Sequence, residues 1–179
     1  MDHDHYPDDY IRDILSRHRV FAVVGASATP SRPSYFVVKY LMAKGFDVIP
    51  VNPQRAGEKS FGQRVFATLS DIDRPVDVVD IFRSSDAALP TTREAISIGA
   101  KVVWMQVGVR DDEAARLAED AGLKVVMNRC PKIEYGRLSG EIGWAGVNSR
   151  TLSSKRPLLG TKGGQQRMLR SNDEGSQPR

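Results

Sequence analysis

The sequence has one cysteine, Cys130, among its 179 residues, and no apolar run approaches the length of a membrane-spanning helix. A single cysteine excludes an internal disulfide and fits a reducing compartment. The first ten residues, MDHDHYPDDY, are acidic and polar, which excludes a secretory signal at this end. From these absences we expect a cytoplasmic protein that has no membrane partner.

A basic face is also missing from most of the sequence. The net charge of +4 comes from residues 150–179, where seven Lys or Arg accompany one Asp and one Glu. The rest of the chain is nearly neutral, and no aromatic residue lies among the late basic ones. Nucleic-acid-binding proteins usually carry a basic patch together with stacking platforms. We therefore expect no nucleic acid partner.

Motifs of catalysis and metal binding are absent as well. His3, His5 and His18 all lie near the N-terminus, far from the other reactive side chains in sequence, and no Cys/His metal spacing or G-x-S-x-G occurs. Asp77 and Asp80 flank valines in one apolar run, where they fit polar positions at a strand edge better than an acid–base pair. We expect no catalytic residue and no metal.

Five short runs rich in valine and isoleucine dominate the sequence and predict buried strands. These runs cover residues 20–25, 46–52, 76–82, 101–108 and 123–128, with a short edge strand expected near 61–66. Apolar periodicity predicts helices over 8–17, 34–44, 85–98 and 111–121. This alternation indicates an α/β, Rossmann-like doubly wound fold, with a mainly parallel five-stranded sheet in three αβα layers. The simplest strand order is 3-2-1-4-5.

The predicted elements divide the chain into three parts. We expect an N-terminal helix in residues 1–19, one Rossmann-like domain over 20–156, and a disordered basic tail over 157–179, which has no apolar period. The sequence does not specify an oligomeric state. An edge strand or the N-terminal helix is the expected contact of any homodimer.

The connection after the first strand resembles a phosphate-binding loop without its usual glycines. Gly25, Ala26 and Ser27 end the strand, and Ser31, Arg32, Pro33 and Ser34 lead into the helix. Small residues let the backbone approach a phosphate, the free amides at a helix N-terminus attract anions, and an arginine adds a charged contact. The alternative is that Gly25 only makes the turn and that Ser31 or Ser34 is a plain N-cap.

The connection after the second strand lowers the expectation of NAD binding. NAD sites usually place a carboxylate here for the ribose hydroxyls, whereas this chain has Asn52 and Pro53. Arg55 and Lys59 would suit the phosphorylated ribose of NADP. Equally, the segment fits a proline-stiffened surface turn with solvated charges.

Further candidates follow the last three strands. Phe82 could stack on a base, Arg83 could meet a phosphate, and Gln106, near Gly108, could bind an amide; alternatively, Phe82 only closes the core. Cys130 lies between Arg129 and Lys132, where the pKa of a thiol can be lowered, although a small structural cysteine is the simpler interpretation.

Together these segments resemble a known family. The strings that carry the resemblance are SRPSY, VIPVNP, DVVDIFR, GAKVVWMQVGV and AGLKVVMNRCPKIEY. They resemble the small stand-alone CoA-binding domain proteins, which are similar to the N-terminal CoA-binding domain of the succinyl-CoA synthetase α subunit. The match runs from about Val20 to Tyr135 and extends toward Arg156.

The resemblance implies that coenzyme A lies across the strand ends. It implies a pyrophosphate site at Gly25, Ala26, Ser27, Arg32 and Ser34, an adenosine side at Asn52, Pro53 and Arg55, and a pantetheine path along Phe82, Arg83, Gln106 and Gly108. The phosphohistidine domain of the synthetase is absent, and Asn128 stands where the family often has Asp. The implied function is binding of CoA or acyl-CoA, as a regulatory or carrier protein. The alternatives are an NADP-dependent oxidoreductase and a thiol redox protein that uses Cys130.

Overall fold

The computed structural model describes residues 1–141, which are built around a five-stranded parallel sheet. The strands are β1 (Val20–Val24), β2 (Asp47–Val51), β3 (Lys59–Ser60), β4 (Gln63–Arg64), β5 (Val78–Ile81), β6 (Val102–Met105) and β7 (Lys124–Val126). The helices are α1 (Asp8–Arg17), α2 (Pro33–Ala43), α3 (Ala88–Ser97), α4 (Asp112–Asp120) and α5 (Pro131–Leu138). The predicted fold class is confirmed. The expected edge strand near residues 61–66 is a small antiparallel hairpin, β3–β4.

The strand order differs from the predicted one. The order is β2-β1-β5-β6-β7, so the third long strand lies beside β1 and not beside β2. Phe66 already takes the place beside β2, since its N–H donates to the Pro50 carbonyl (3.0 Å) and its carbonyl accepts from the Asn52 N–H (2.8 Å). The chain therefore crosses over β1 before it forms β5. The order 3-2-1-4-5 is wrong for this reason.

Each face of the sheet is covered by helices. Alternate strand residues, such as Phe21 and Trp104, face a core that α1, α2 and α5 cover. The intervening residues, such as Ile49 and Met105, face a second core that α3 and α4 close, largely with alanines. Side chains of a strand point alternately to opposite faces, which is why continuous valine runs suit a sheet buried on both sides.

Helix α1 belongs to the same core as the sheet. Ile11, Ile14 and Leu15 are buried in the cluster that also contains Phe21. Burying such a side chain stabilises a fold by roughly 1.5–3 kcal/mol. Although α1 precedes the first strand, it therefore forms part of the layer that covers one face of the sheet.

The last described helix, α5, was not among the predicted elements. It begins at Pro131, and Cys130 is its N-cap. No helix within residues 1–141 is long and apolar enough to cross a membrane. The predicted tail over 157–179 and the predicted end of the domain, residues 142–156, lie outside the described residues.

Two tyrosines pair with the outer edge of β7. The Tyr10 hydroxyl donates to the Val125 carbonyl (3.1 Å) and accepts from the Val125 N–H (3.0 Å). The Tyr6 hydroxyl accepts from the Met127 N–H (2.8 Å). Burial raises the pKa of Tyr6 to about 12, so its hydroxyl stays neutral at ordinary pH. The segment at and before α1 thus supplies the partners that an additional strand would otherwise supply.

We expect the two tyrosine hydroxyls to protect different backbone amides. Tyr10→Phe should speed amide hydrogen exchange at Val125, and Tyr6→Phe should speed it at Met127, because each change removes the acceptor of one N–H. Each variant should lose about 1 kcal/mol of stability. Exchange measured by NMR on both variants tests this, and each variant is the control for the other. Equal exchange at both amides in both variants would contradict the assignment.

Candidate functional site

The loop after β1 is fixed tightly against the end of β5. Gly25 has a φ of +89°, and a Cβ at this position would lie 2.3 Å from the Phe82 carbonyl oxygen. The Gly25 N–H donates to the Val51 carbonyl (2.9 Å), which ties the same loop to β2. The loop lies where the strand order reverses, because β1 has β2 on one side and the later strand β5 on the other. Open α/β sheets bind ligands at such switch points.

The start of α2 has no side-chain cap. Arg32 is the N-cap, without a capping hydrogen bond from its side chain, and Pro33 is the first helical residue. Neither Ser31 nor Ser34 is the N-cap, so the N-cap part of the alternative interpretation is wrong. The buried Ser34 hydroxyl instead accepts from the Ser27 N–H (3.1 Å) and holds the loop. An uncapped helix N-terminus beside the exposed Arg32 is suited to an anion.

The end of β2 is linked to the same loop. The Asn52 side-chain amide donates to the Ala26 carbonyl (2.9 Å), and its oxygen accepts from the Gln54 N–H (3.0 Å). Pro53 begins a short 3₁₀ turn that ends at Arg55. The Arg55 guanidinium pairs with Glu58 through contacts of 2.9 and 2.7 Å. Arg55 would have to share or exchange this partner to bind a phosphate.

The side chains that follow β5 and β6 differ in exposure. Phe82 is partly buried against the core that α2 covers, whereas Arg83 is exposed beside the Gly25 loop. Gln106 is buried, and its amide nitrogen donates to both carboxyl oxygens of Asp80 at 3.0 and 3.1 Å. The amide nitrogen of Gln106 is therefore already hydrogen-bonded to another side chain of the same chain, that of Asp80.

Asp80 is a fully buried carboxyl group in the middle of the sheet. Its strand lies between β1 and β6, and burial raises its pKa to about 8, against a smaller lowering by the Gln106 hydrogen bond. The interpretation of Asp80 as a strand-edge residue is wrong. Asp77 lies just before β5, at the amino-terminal ends of the strands. Its carboxylate accepts hydrogen bonds from the Arg19 (2.8 Å) and Val20 (3.0 Å) N–H groups.

The connections after β6 and β7 are also joined. The Gly108 N–H donates to the Asn128 side-chain oxygen (2.9 Å). Asn128 has a φ of +52°, which asparagine tolerates better than most residues. Aspartate could accept the same hydrogen bond, so this contact does not require a carboxylate at position 128.

The region that contains these strand ends matches a known protein family. A sequence model described as "CoA binding domain" matches residues 19–136, which is most of the chain. The chain belongs to the CoA-binding domain family.

Relatives of this CoA-binding domain include bacterial and archaeal proteins. The uncharacterized protein YneT of Bacillus subtilis (strain 168) is 34% identical over 125 residues, which cover 70% of this chain and 91% of YneT. The structure of a hypothetical protein from Pyrococcus horikoshii OT3 is 41% identical with a TM-score of 0.73, covering 76% of this chain and 95% of that one. Acetyl-coenzyme A synthetase 1 of Ca. Korarchaeum cryptofilum is 26% identical with a TM-score of 0.55, covering 62% of this chain and 26% of the synthetase.

The cysteine of this CoA-binding domain is buried at the start of α5. Burial raises the pKa of the Cys130 thiol, and hydrogen bonds from the Ile133 and Lys132 backbones oppose this only in part. The neighbouring cations therefore do not produce a low-pKa thiol, and the structural interpretation of Cys130 is favoured. Among residues 1–141, no three His, Cys, Asp or Glu side chains form a cluster that could hold a metal ion.

The predicted site residues of the CoA-binding domain all follow the carboxyl ends of β1, β2, β5 and β6. They are Gly25, Ala26, Ser27, Arg32, Pro33, Ser34, Asn52, Pro53, Arg55, Phe82, Arg83, Gln106 and Gly108. Arg32 and Arg83 are exposed, whereas Ser34 and Gln106 are buried and bonded internally. The residue that sequence reasoning placed wrongly is Asp80, which is buried. Its position within a continuous valine run, in a sheet expected to be covered on both faces, was the available signal.

Proposed function

We propose that this protein binds coenzyme A or an acyl-CoA across the carboxyl ends of its strands, as a carrier or regulatory protein. Family membership supports the class of ligand. The observation that carries the proposal is the loop after β1, where a tightly packed glycine, an uncapped helix start and an exposed arginine meet. A pyrophosphate needs these features together: close backbone approach, amide donors and positive charge.

The fit of this loop to a phosphate can be judged at Gly25. Its side-chain position is filled by the Phe82 carbonyl, so this glycine is required for packing against β5, and a phosphate would approach the exposed Arg32 and the start of α2. In this proposal, Gly25, Ala26, Ser27 and Arg32 meet the pyrophosphate, and Ser34 keeps the loop in shape. Asn52, Pro53 and Arg55 lie on the adenosine side; Phe82, Arg83, Gln106 and Gly108 lie along the pantetheine. Asp80 contributes indirectly, because it holds Gln106.

The competing ligands are nicotinamide dinucleotides. The end of β2 carries Asn52 instead of Asp or Glu, so it offers no carboxylate to the two ribose hydroxyls. The side-chain amide of Asn52 already donates to the Ala26 carbonyl. This disfavours NAD. Arg55 suits the 2′-phosphate of NADP as well as the 3′-phosphate of CoA, and only a binding measurement separates these two ligands.

We expect Arg32→Ala to lower the affinity for CoA by about 10- to 100-fold, because a charge-assisted contact to phosphate is lost. Isothermal titration of the full chain with CoA, NADP and NAD measures this. Arg93→Ala is the matched control, since Arg93 is exposed on α3, away from the strand ends.

The three titrations separate the competing functions. CoA binding that weakens in Arg32→Ala and is unchanged in Arg93→Ala would support the proposal. Tighter binding of NADP than of CoA would favour the oxidoreductase function. If wild-type protein bound none of the three ligands, the CoA-binding proposal would be rejected.

A further inference from the structure

The tip of the β3–β4 hairpin holds an aromatic residue in a conformation that aromatic residues rarely adopt. Phe61 and Gly62 occupy the two central positions of the turn, and both have positive φ values, +55° and +78°. Turns of this type favour Asn, Asp or Gly at the first central position. Among the described residues, Asn128 is the only other non-glycine residue with positive φ. Phenylalanine here costs conformational free energy that its ring must offset.

The ring of Phe61 reaches the start of α2. Its centroid lies 5.1 Å from that of Tyr35, and the two rings are inclined by 45°. Tyr35 lies in the first turn of α2, and its N–H donates to the carbonyl of Arg32 (3.0 Å). Both rings are only partly buried. Phe61 of the hairpin and Tyr35 of α2 thus form a partly exposed aromatic pair beside the N-terminus of the helix.

The strands of this hairpin also carry like charges opposite one another. Lys59 pairs directly with Arg64 across the two strands, and both side chains are exposed. The Arg64 guanidinium lies 5.5 Å from the centroid of the Phe66 ring. Like charges directly opposite are unfavourable in an antiparallel pair, and an anionic ligand would relieve the repulsion. The hairpin therefore combines aromatic faces with positive charge.

We propose that Tyr35 and Phe61 form an aromatic platform on which the adenine ring of the ligand stacks, and that Lys59 and Arg64 attract its phosphates. This rests on the proposed function. The platform lies at the β2 side of the sheet, whereas the pantetheine path leads toward β6 at the other side. An aromatic face with cations on the strands of the same hairpin suits a nucleotide, since every base offers a π-face and the phosphates supply the negative charge.

The variant that isolates the ring is Phe61→Gly. Glycine adopts positive φ without strain, so the hairpin should keep its turn while the platform loses one ring. Phe36→Ala is the matched control, because Phe36 is an exposed aromatic residue that neighbours Tyr35 on α2. Phe61→Trp keeps an aromatic face at the same position. Thermal unfolding of all three variants shows whether each one is folded.

The full-length protein is titrated with CoA, adenosine 3′,5′-bisphosphate and 4′-phosphopantetheine. We expect Phe61→Gly to bind CoA and the bisphosphate about tenfold more weakly, with no change for phosphopantetheine. Phe61→Trp and Phe36→Ala should bind all three like wild type. If CoA bound wild type and Phe61→Gly equally, or if phosphopantetheine affinity fell as much as CoA affinity, only the platform would be rejected. If wild type bound no CoA, the proposed function would fail, and the platform with it.

Discussion

Replacing Gly25 by alanine is expected to destabilise the protein by about 3 kcal/mol or more. The new Cβ would lie 2.3 Å from the Phe82 carbonyl oxygen, which is backbone and cannot rotate away. The φ of +89° adds strain for any residue with a side chain. Because the Gly25 loop is also bonded to β2 through Val51, a local shift would disturb three strands.

Urea denaturation measures this loss, and Gly122→Ala is the matched control. Gly122 has a similar φ of +83°, but an added Cβ there meets no atom within 4 Å. The control should cost only about 1 kcal/mol, from backbone strain alone. Equal losses in the two variants would show that the contact with β5 does not limit the loop. CoA affinity measured on the folded fraction of Gly25→Ala should fall as well.

The wild-type protein is expected to lose stability as pH rises, because Asp80 ionises in the buried sheet, and replacing Asp80 by asparagine should remove this loss. The folded protein keeps the Asp80 proton until about pH 8, whereas the unfolded chain releases it near pH 4. The stabilising contribution of the protonated group is therefore fully present below about pH 4 and is lost as pH rises through about 8. Asparagine has a similar shape, stays uncharged, and can accept the hydrogen bond from Gln106.

The difference in unfolding free energy between Asp80→Asn and wild type is the quantity to measure, over a range from about pH 4 to pH 9. We expect the variant to gain on wild type steadily from about pH 4 to about pH 8 and then to level off. Asp86→Asn, an exposed residue after β5, should show no comparable trend. A difference that stays constant with pH would mean that Asp80 is ionised in the folded protein.

The long strands and four of the five helices follow from local pattern. Valine-rich runs predict strands buried on both faces, and Gly45 and Gly99 mark helix ends, so the α/β fold could be predicted. The order of the strands could not be predicted, because no local sequence pattern indicates that Phe66 pairs with β2. Helix α5 was missed because the segment NRCPKIEY has too few apolar residues for a clear helical period.

The positions of the candidate site residues were predictable, whereas their contacts were not. Parallel strands bring their carboxyl ends to one edge, which places Arg32, Asn52 and Arg83 in adjacent connections. The partners of buried polar side chains depend on register, so the pairing of Asp80 with Gln106 could not be predicted. The proposed aromatic platform depends on the turn geometry at Phe61, which its sequence gives no reason to expect.

The tyrosine contacts at β7 determine how one outer edge of the sheet is covered. An open edge strand is a template on which strands of other molecules can add, and this is a common start of aggregation. Tyr6 and Tyr10 occupy hydrogen-bonding positions that such a strand would use, and Phe66 does the same beside β2. Both tyrosines precede residue 19, where the family match begins. A chain shortened to the family match would keep the candidate site at the strand ends and leave the β7 edge open to pairing with other strands.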